Sequence, residues 1–474
     1  MSGHIAGLRQ AEIPKMVHVR QTFPRTNVPD LDAAVAAEMN VLFPKQQRRH
    51  LLAGKSIGVT VGSRGITAID GITKAVVSFL REAGASPFIF PAMGSHGGGT
   101  AEGQTEMIAG YGVTEEAMGC PILAEMQTSV HGVFDGVEVH CAKVAYEADG
   151  ILLLNRVKPH TDICKPPNQE LVGFDCGGIV GSGLSKICAI GAGKLEGAKA
   201  YHDAVLGCGL ETAIVVATRE LIRAGRVIGG LAILENAYHQ TAKLEAVPVS
   251  ASDLPAFFRH EARLHSEAKA LMPRLPLPMS AWKPTTVDPA RPDAMYDVLF
   301  CRDIGKDISG AGMDTNIVGR GAYESVPGKC WQEGLPSINR VVVSDITPGA
   351  HGNPGGPGLA DFGTKRFMEK TNYDALYLNQ VTSYSTMVAK MPICLENDRV
   401  AIAAALATTP PRPEGQRFVA IKNTLELSDV LVSEACLPLL KGVEGIELVG
   451  EPAPMVFDAE GYCLFPWDAG GPKH

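Results

Sequence analysis

Four short segments of this chain set reactive or anion-binding side chains among small residues, and the first three directly follow a run that reads as a β-strand. Gly62-Ser63-Arg64-Gly65 follows SIGVTV at residues 56–61. A strand-to-helix turn of small residues exposes backbone N–H groups that favour an anion. Arg64 adds a planar fork matched to phosphate or carboxylate, with the Ser63 hydroxyl beside it. Taken alone, the segment is more readily an ordinary turn with a surface arginine. Gly94-Ser95-His96-Gly97-Gly98-Gly99-Thr100 follows PFIFP at residues 87–91. Open α/β sheets place ligand sites at such strand ends, where an imidazole can act as a general base near neutral pH. A structural histidine in a glycine loop is the competing reading.

Asn155-Arg156-Val157-Lys158-Pro159-His160-Thr161 follows ILLL at residues 151–154. Polar groups crowded at the end of a buried strand are costly unless partners or ligands satisfy them, so Lys158 and His160 are candidates for chemistry. The fourth segment is Gly181-Ser182-Gly183-Leu184-Ser185-Lys186, followed by Gly191-Ala192-Gly193-Lys194 and a helix carrying Tyr201-His202. Lys186 is a compact amine in a loop of small residues. On spacing alone His202 is more often a core histidine than a metal ligand. The glycines are not a phosphate-binding P-loop, because Lys194 is followed by Leu195 rather than Ser or Thr. Nor are they a dinucleotide fingerprint, since Gly191, Gly193 and Gly197 fit GxGxxxG. There is no HExxH, no GxSxG elbow and no Cys/His cluster with zinc spacing.

The elements that must position these groups alternate. Strand-like runs lie at 56–61, 87–91 and 151–154, with helical spacing at 71–83 and 102–110. A helix at 211–224, a strand at 227–234 and a helix at about 252–272 follow. This alternation implies an α/β fold with mostly parallel sheets flanked by crossover helices. The proline-rich stretch 272–293 reads as a domain boundary. The expected organisation is a lead-in at 1–50 packing on the first domain, a catalytic and cofactor-binding domain at 51–280, and a second α/β domain at 294–474, with the active-site cleft between the two domains.

Composition narrows the function classes. The chain has 474 residues, 45% hydrophobic and 20% charged, enough for two or three globular domains. Net charge is −8 and the longest basic run is Arg48-Arg49 with His50, which argues against nucleic acid as a partner. A small anionic substrate remains compatible. Eleven cysteines without a CxxC pair read as reduced thiols of a cytoplasmic protein. No stretch of 18 apolar residues occurs, so no membrane partner is expected.

In order and spacing these elements resemble the nickel-dependent lactate racemase family. The succession is an arginine turn, GSH, a KPH-type histidine, a Gly/Ser loop ending in lysine, and a helical histidine sixteen residues beyond it. The resemblance covers roughly residues 50–240, and a weaker match extends into the second half. It implies a nickel-pincer nucleotide, a pyridinium mononucleotide holding Ni through two sulfurs and a carbon. By resemblance Lys186 would carry the thioamide link to the cofactor and His202 would supply the remaining nickel ligand. His96 and His160 would be the acid/base pair, and Arg64 would bind the cofactor phosphate or the substrate carboxylate. The implied reaction is racemisation or epimerisation of a 2-hydroxy acid by reversible hydride transfer through a planar 2-oxo acid. Racemisation needs a base on each side of the plane and a cation that holds the carboxylate, while the cofactor supplies the hard chemistry. Enzymes that synthesise the cofactor are implied as partners.

The chain also departs from that pattern. Val61 stands three before Arg64, where the family has an acidic residue. The stretch between His160 and Lys186 carries an insert, ICKPPNQELVGFDCGGIV, which would reshape the pocket and favour a hydroxy acid larger than lactate. The family's Tyr-Gln and lysine of the second domain are not found, and Lys306 in DIGKDISG is the candidate carboxylate contact instead. The run 347–358, with His351 and many glycines, reads as a mobile or pocket-lining loop. Two other readings stay open here. One is a hydroxy-acid isomerase or dehydratase whose divalent metal is held by His96, His160 and His202. The other is a non-enzymatic protein that binds an anionic metabolite. Oligomeric state is open, a homo-oligomer included.

Overall fold

The computed structural model describes residues 12–62, 65–160, 163, 165–279, 294–321, 335–382 and 385–468. Contacts divide the chain into two compact units, one built on Pro24–Met272 and the other on residues up to Phe23 together with those from Pro273 onward.

The first unit is organised by a five-stranded sheet in the order Ser86–Pro91, Ser56–Val61, Gly150–Arg156, Val227–Glu235, Thr241–Val247. The first four strands are parallel, and Thr241–Val247 closes the edge antiparallel. The central strands are apolar at consecutive positions because both faces of the sheet are covered. Ile151 and Leu153 enter one core with Phe88 and Phe90, while Leu152 and Leu154 enter the other with Ile57, Val59 and Ile89. Helix Ile69–Glu82 crosses over the second of these cores, burying Ile69, Ile72, Val76, Phe79 and Leu80 at helical spacing.

In chain order the strands run 2-1-3-4-5 across the sheet. Strand Ser56–Val61 therefore has its successor on one side and Gly150–Arg156 on the other. That reversal is the topological switch point, where open α/β sheets bind ligands at the carboxyl ends of the strands.

The insert at 163–180 packs into the protein interior. Ile163, Val172, Cys176 and Val180 are buried in the core, and Phe174 stacks obliquely on Phe258 with ring centroids 5.4 Å apart. One buried arginine anchors it. Arg219, in the enclosed helix Leu210–Arg223, donates to the carbonyls of Leu171 and Val172 at 3.2 and 2.8 Å. It also bonds Asp135 at 2.7 Å, in the Asp135-Gly136 turn of the hairpin Thr128–Phe134 with Val137–Ala142. Both turn residues have positive φ, +50° and +79°, the geometry an Asp-Gly hairpin turn uses.

The second unit holds an eight-stranded sheet. Five strands are parallel: Ile393–Leu395, Phe362–Thr364, Ile338–Ile346, Tyr296–Ile304 and Phe418–Ile421. Asp429–Ser433, Met16–Gln21 and Ile446–Ala453 continue it antiparallel. This corrects the expectation that residues 1–50 form a single lead-in to the first domain. Helix Leu31–Leu42 does enter the core of the 24–272 unit through Val35 and Met39. Strand Met16–Gln21 instead satisfies its backbone groups against strands more than 400 residues away. Nothing local in MVHVRQ names that partner. Among the described residues no helix is long and apolar enough to cross a membrane, and the nine described cysteines are free thiols.

Replacing Arg219 with Met removes the donors that join the insert to the hairpin and takes from the Leu171 and Val172 carbonyls their side-chain partner. The variant is expected to lose on the order of 2–4 kcal/mol in urea unfolding. A loss within measurement error would show that the insert is held by its apolar contacts alone.

Candidate active site at the strand ends

Parallel register brings the motif-bearing loops to one edge of the sheet. Val61 lies opposite Pro91 on its neighbour, and Gly58 lies opposite Ile151 on the other side. The chain leaves these strands toward Ser63-Arg64, His96 and Lys158-His160 respectively. Ser63 and Arg64 lie outside the described residues. Glu235, ending the fourth parallel strand, accepts from the Thr67 amide at 2.9 Å and pairs with Arg156. Arg156 is thus a structural ion pair of the strand ends.

The segment 181–194 lies over the same edge. Asn155 donates to the Gly183 carbonyl at 2.8 Å, and the Gly94 amide donates to the Gly191 carbonyl at 3.2 Å. Gly191 cannot carry a side chain, because a Cβ there would sit 2.5 Å from the carbonyl oxygen of Ala92. Behind this segment stands Glu261, wholly buried on helix Leu254–Leu271. Its carboxylate accepts from the Gly183 amide at 3.0 Å, from the Ser185 amide at 3.2 Å and from the Ser185 hydroxyl. Burial pushes the Glu261 carboxyl above its ordinary range, with the Ser185 and Gly183 donors opposing. Thr218 holds the other end of the turn by donating to the Ser185 carbonyl at 3.1 Å.

This frame aims Lys186 at His160. The lysine Nζ lies 2.5 Å from His160 Nε2, within hydrogen-bond reach of the imidazole. Directly after Lys186 the backbone widens into a π-helical turn, Ile187–Gly191, a feature that recurs at functional sites. Ser182 Oγ is buried and has no hydrogen-bond partner among the described residues.

His96 and His202 are joined by a second network. Lys194 opens the helix Lys194–Asp203 that carries His202. Its side chain is fully buried and donates to the Pro91 carbonyl at 2.7 Å and to Gln104 Oε1 at 2.9 Å. Gln104 then donates to the carbonyls of Gly94 and His96, at 2.9 and 3.2 Å. The exposed His96 ring therefore stands on a loop whose backbone is fixed from beneath. Burial pushes the Lys194 amine down to about 8. Half-buried His202 donates from Nδ1 to the Ala198 carbonyl at 2.5 Å. That bond keeps the ring proton on Nδ1 and puts the lone pair on Nε2, the arrangement in which histidines ligate metals.

The remaining sites expected from sequence are more loosely placed. Lys158 is half-buried two residues before His160. Lys306 belongs to the other unit and donates to the Gly310 carbonyl at 2.9 Å, within its own loop. The 347–358 run packs on that loop: the Lys306 amide donates to the Asn353 carbonyl at 3.0 Å, and Thr347 bonds Asp307 at 2.6 Å. Among the described residues no three His, Cys, Asp or Glu side chains come together to hold a metal ion. His96, His160 and His202 thus do not form the joint divalent-metal site considered from the sequence; they sit on three separate loops and helices.

Sequence reasoning missed Glu261, Gln104, Lys194 and Glu235. Glu261 left a signal, standing at a core position among Leu254, Phe257, Phe258, Leu264 and Ala268. Gln104, in AEGQTEM, left none.

No protein-family model matches the chain, and no curated protein matches it. Among solved structures it is similar to the lactate racemase apoprotein from Thermoanaerobacterium thermosaccharolyticum, at 12% identity over 81% of this chain and 99% of that one, with a TM-score of 0.41. A likeness at that level assigns neither activity nor cofactor, and the functional reading rests on the side chains described above.

The buried Lys194 amine gives a signed pH test. Its proton affinity is lower folded than unfolded, so between about pH 8 and the ordinary lysine range the unfolded chain binds more protons. Folding stability relative to Lys194→Met then rises with pH across that window, by on the order of 1 kcal/mol per pH unit. Urea unfolding of both proteins at successive pH values measures it. A difference that is flat or falls would mean that folding does not lower the proton affinity of Lys194.

Proposed function

We propose that this chain is a racemase or epimerase of a 2-hydroxy acid that carries a nickel-pincer nucleotide on Lys186. The observation that carries the reading is the contact between Lys186 Nζ and His160 Nε2 at 2.5 Å, at the switch-point edge of the sheet.

The donor set suits such a group. Lys186 offers an amine for a covalent link, and His202 offers Nε2 as one nickel ligand. A pincer group brings its own sulfur and carbon donors, so a single protein ligand is what it requires of the chain. Ser182 offers a buried hydroxyl that lacks a partner among the described residues. Ser63, Arg64 and Lys158 are the candidates for its phosphate. When bound, the group supplies an acceptor for the substrate's α-hydrogen.

The chain's residues supply the rest. His96 and His160 come from loops after different strands, so each can hold the hydroxyl proton from its own direction. A base that takes the proton during oxidation returns it during reduction, and two bases allow either face to be restored. The substrate carboxylate needs a cation while the planar intermediate turns, for which Arg64 is the candidate. Gln104 and Lys194 fix the His96 loop, and Glu261 with Asn155 fixes the Lys186 turn. Enzymes that build the cofactor are the partners this reading requires.

Protein co-produced with pincer-synthesis enzymes is expected to hold near-stoichiometric nickel and a mass adduct that peptide mapping places on Lys186. Both disappear in Lys186→Ala. Unmodified Lys186 in nickel-free protein under those conditions contradicts the assignment.

A further inference from the structure

Lys199, Lys243, Lys370 and Lys422 each pair with a carboxylate. Lys186 Nζ lies 2.5 Å from the imidazole Nε2 of His160. An imidazole can carry a proton away from an amine near neutral pH. A nucleophile and a base within hydrogen-bond reach, both held by a supporting frame, are the constituents of an activated-nucleophile site. Here the frame is Glu261 and Thr218 about the Ser185 turn, with Asn155 on Gly183.

We infer that His160 acts first as the base that activates the Lys186 amine for acylation, so that the chain attaches its own cofactor by acyl transfer from an activated carboxyl or thiocarboxyl group. The Nζ lone pair forms a bond to the acyl carbon. The leaving group, a thiolate or a phosphate, departs with the electrons of the broken bond. The proton that Nζ sheds passes to His160 Nε2 and from there to the leaving group. The product is an amide or thioamide, and no oxidant or reductant takes part. Only the identity of the acyl group rests on the function proposed above; the pairing of amine and base does not.

The test uses the full chain produced without cofactor-synthesis enzymes and a small acetyl thioester, S-acetyl-N-acetylcysteamine, as the probe. Peptide mass spectrometry follows acetylation of Lys186 and, as an internal control, of exposed Lys199. Lys186 is expected to react on the order of 100-fold faster than Lys199. His160→Ala brings Lys186 down to the control rate, and added imidazole restores it in part. His160→Gln, which keeps a polar side chain without a comparable base, behaves as His160→Ala does. An unchanged Lys199 rate and circular dichroism spectrum identify the variants that are folded. The inference is overturned if Lys186 is no faster than Lys199, or if its rate survives in folded His160→Gln. Neither nickel nor nucleotide is involved, so the two proposals fail separately. Fast Lys186 acetylation in a chain that never acquires a nickel adduct leaves the pair standing and sinks the cofactor. A nickel adduct on a sluggish Lys186 does the reverse.

Discussion

Parallel strands in register end at the same level, and the candidate site depends on that alignment. Ser56–Val61 sits between Ser86–Pro91 and Gly150–Arg156 with matched backbone partners, so the loops that follow emerge side by side. Because the second strand lies to one side of the first and the third to the other, those loops diverge and leave a crevice. A one-residue slip in either pairing would turn every apolar side chain of the strand toward the wrong core. Burial on both faces thus fixes the loop positions as firmly as it fixes the core.

Polar groups buried beneath the loops convert that coarse alignment into defined side-chain geometry. Glu261, Lys194 and Arg219 each carry a group that is costly to remove from water, and each returns that cost as hydrogen bonds to backbone that would otherwise be loose. Glu261 holds the turn that presents Lys186, Lys194 works through Gln104 on the His96 loop, and Arg219 binds the insert. Buried polar groups of this kind contribute little net stability compared with apolar packing. Their contribution is to specify where the reactive residues stand.

The architecture was largely legible in the chain. SIGVTV, PFIFP and ILLL are continuous apolar runs bounded by glycine or polar turns, and such runs become central parallel strands. The helix expected at 71–83 from its apolar spacing forms at Ile69–Glu82. The placement of strand Met16–Gln21 was not legible, because a strand's partner is chosen by the whole sheet. Within the site, the glycines and histidines that follow strands were visible, and so was the Lys186 loop. The contact between Lys186 and His160 was not, because a 26-residue separation says nothing about convergence. Gln104 was unreadable for a related reason: an amide that works from beneath a loop has no sequence neighbours to betray it.

The central claim is that this site interconverts the stereoisomers of a 2-hydroxy acid while the α-hydrogen never exchanges with water. The direct measurement is incubation of nickel-loaded protein in deuterium oxide with single enantiomers of a series of 2-hydroxy acids, resolved by chiral chromatography and mass spectrometry. For at least one acid the account predicts the opposite stereoisomer with its α-hydrogen retained. Solvent deuterium at that carbon, or no interconversion of any acid by loaded protein, would contradict it.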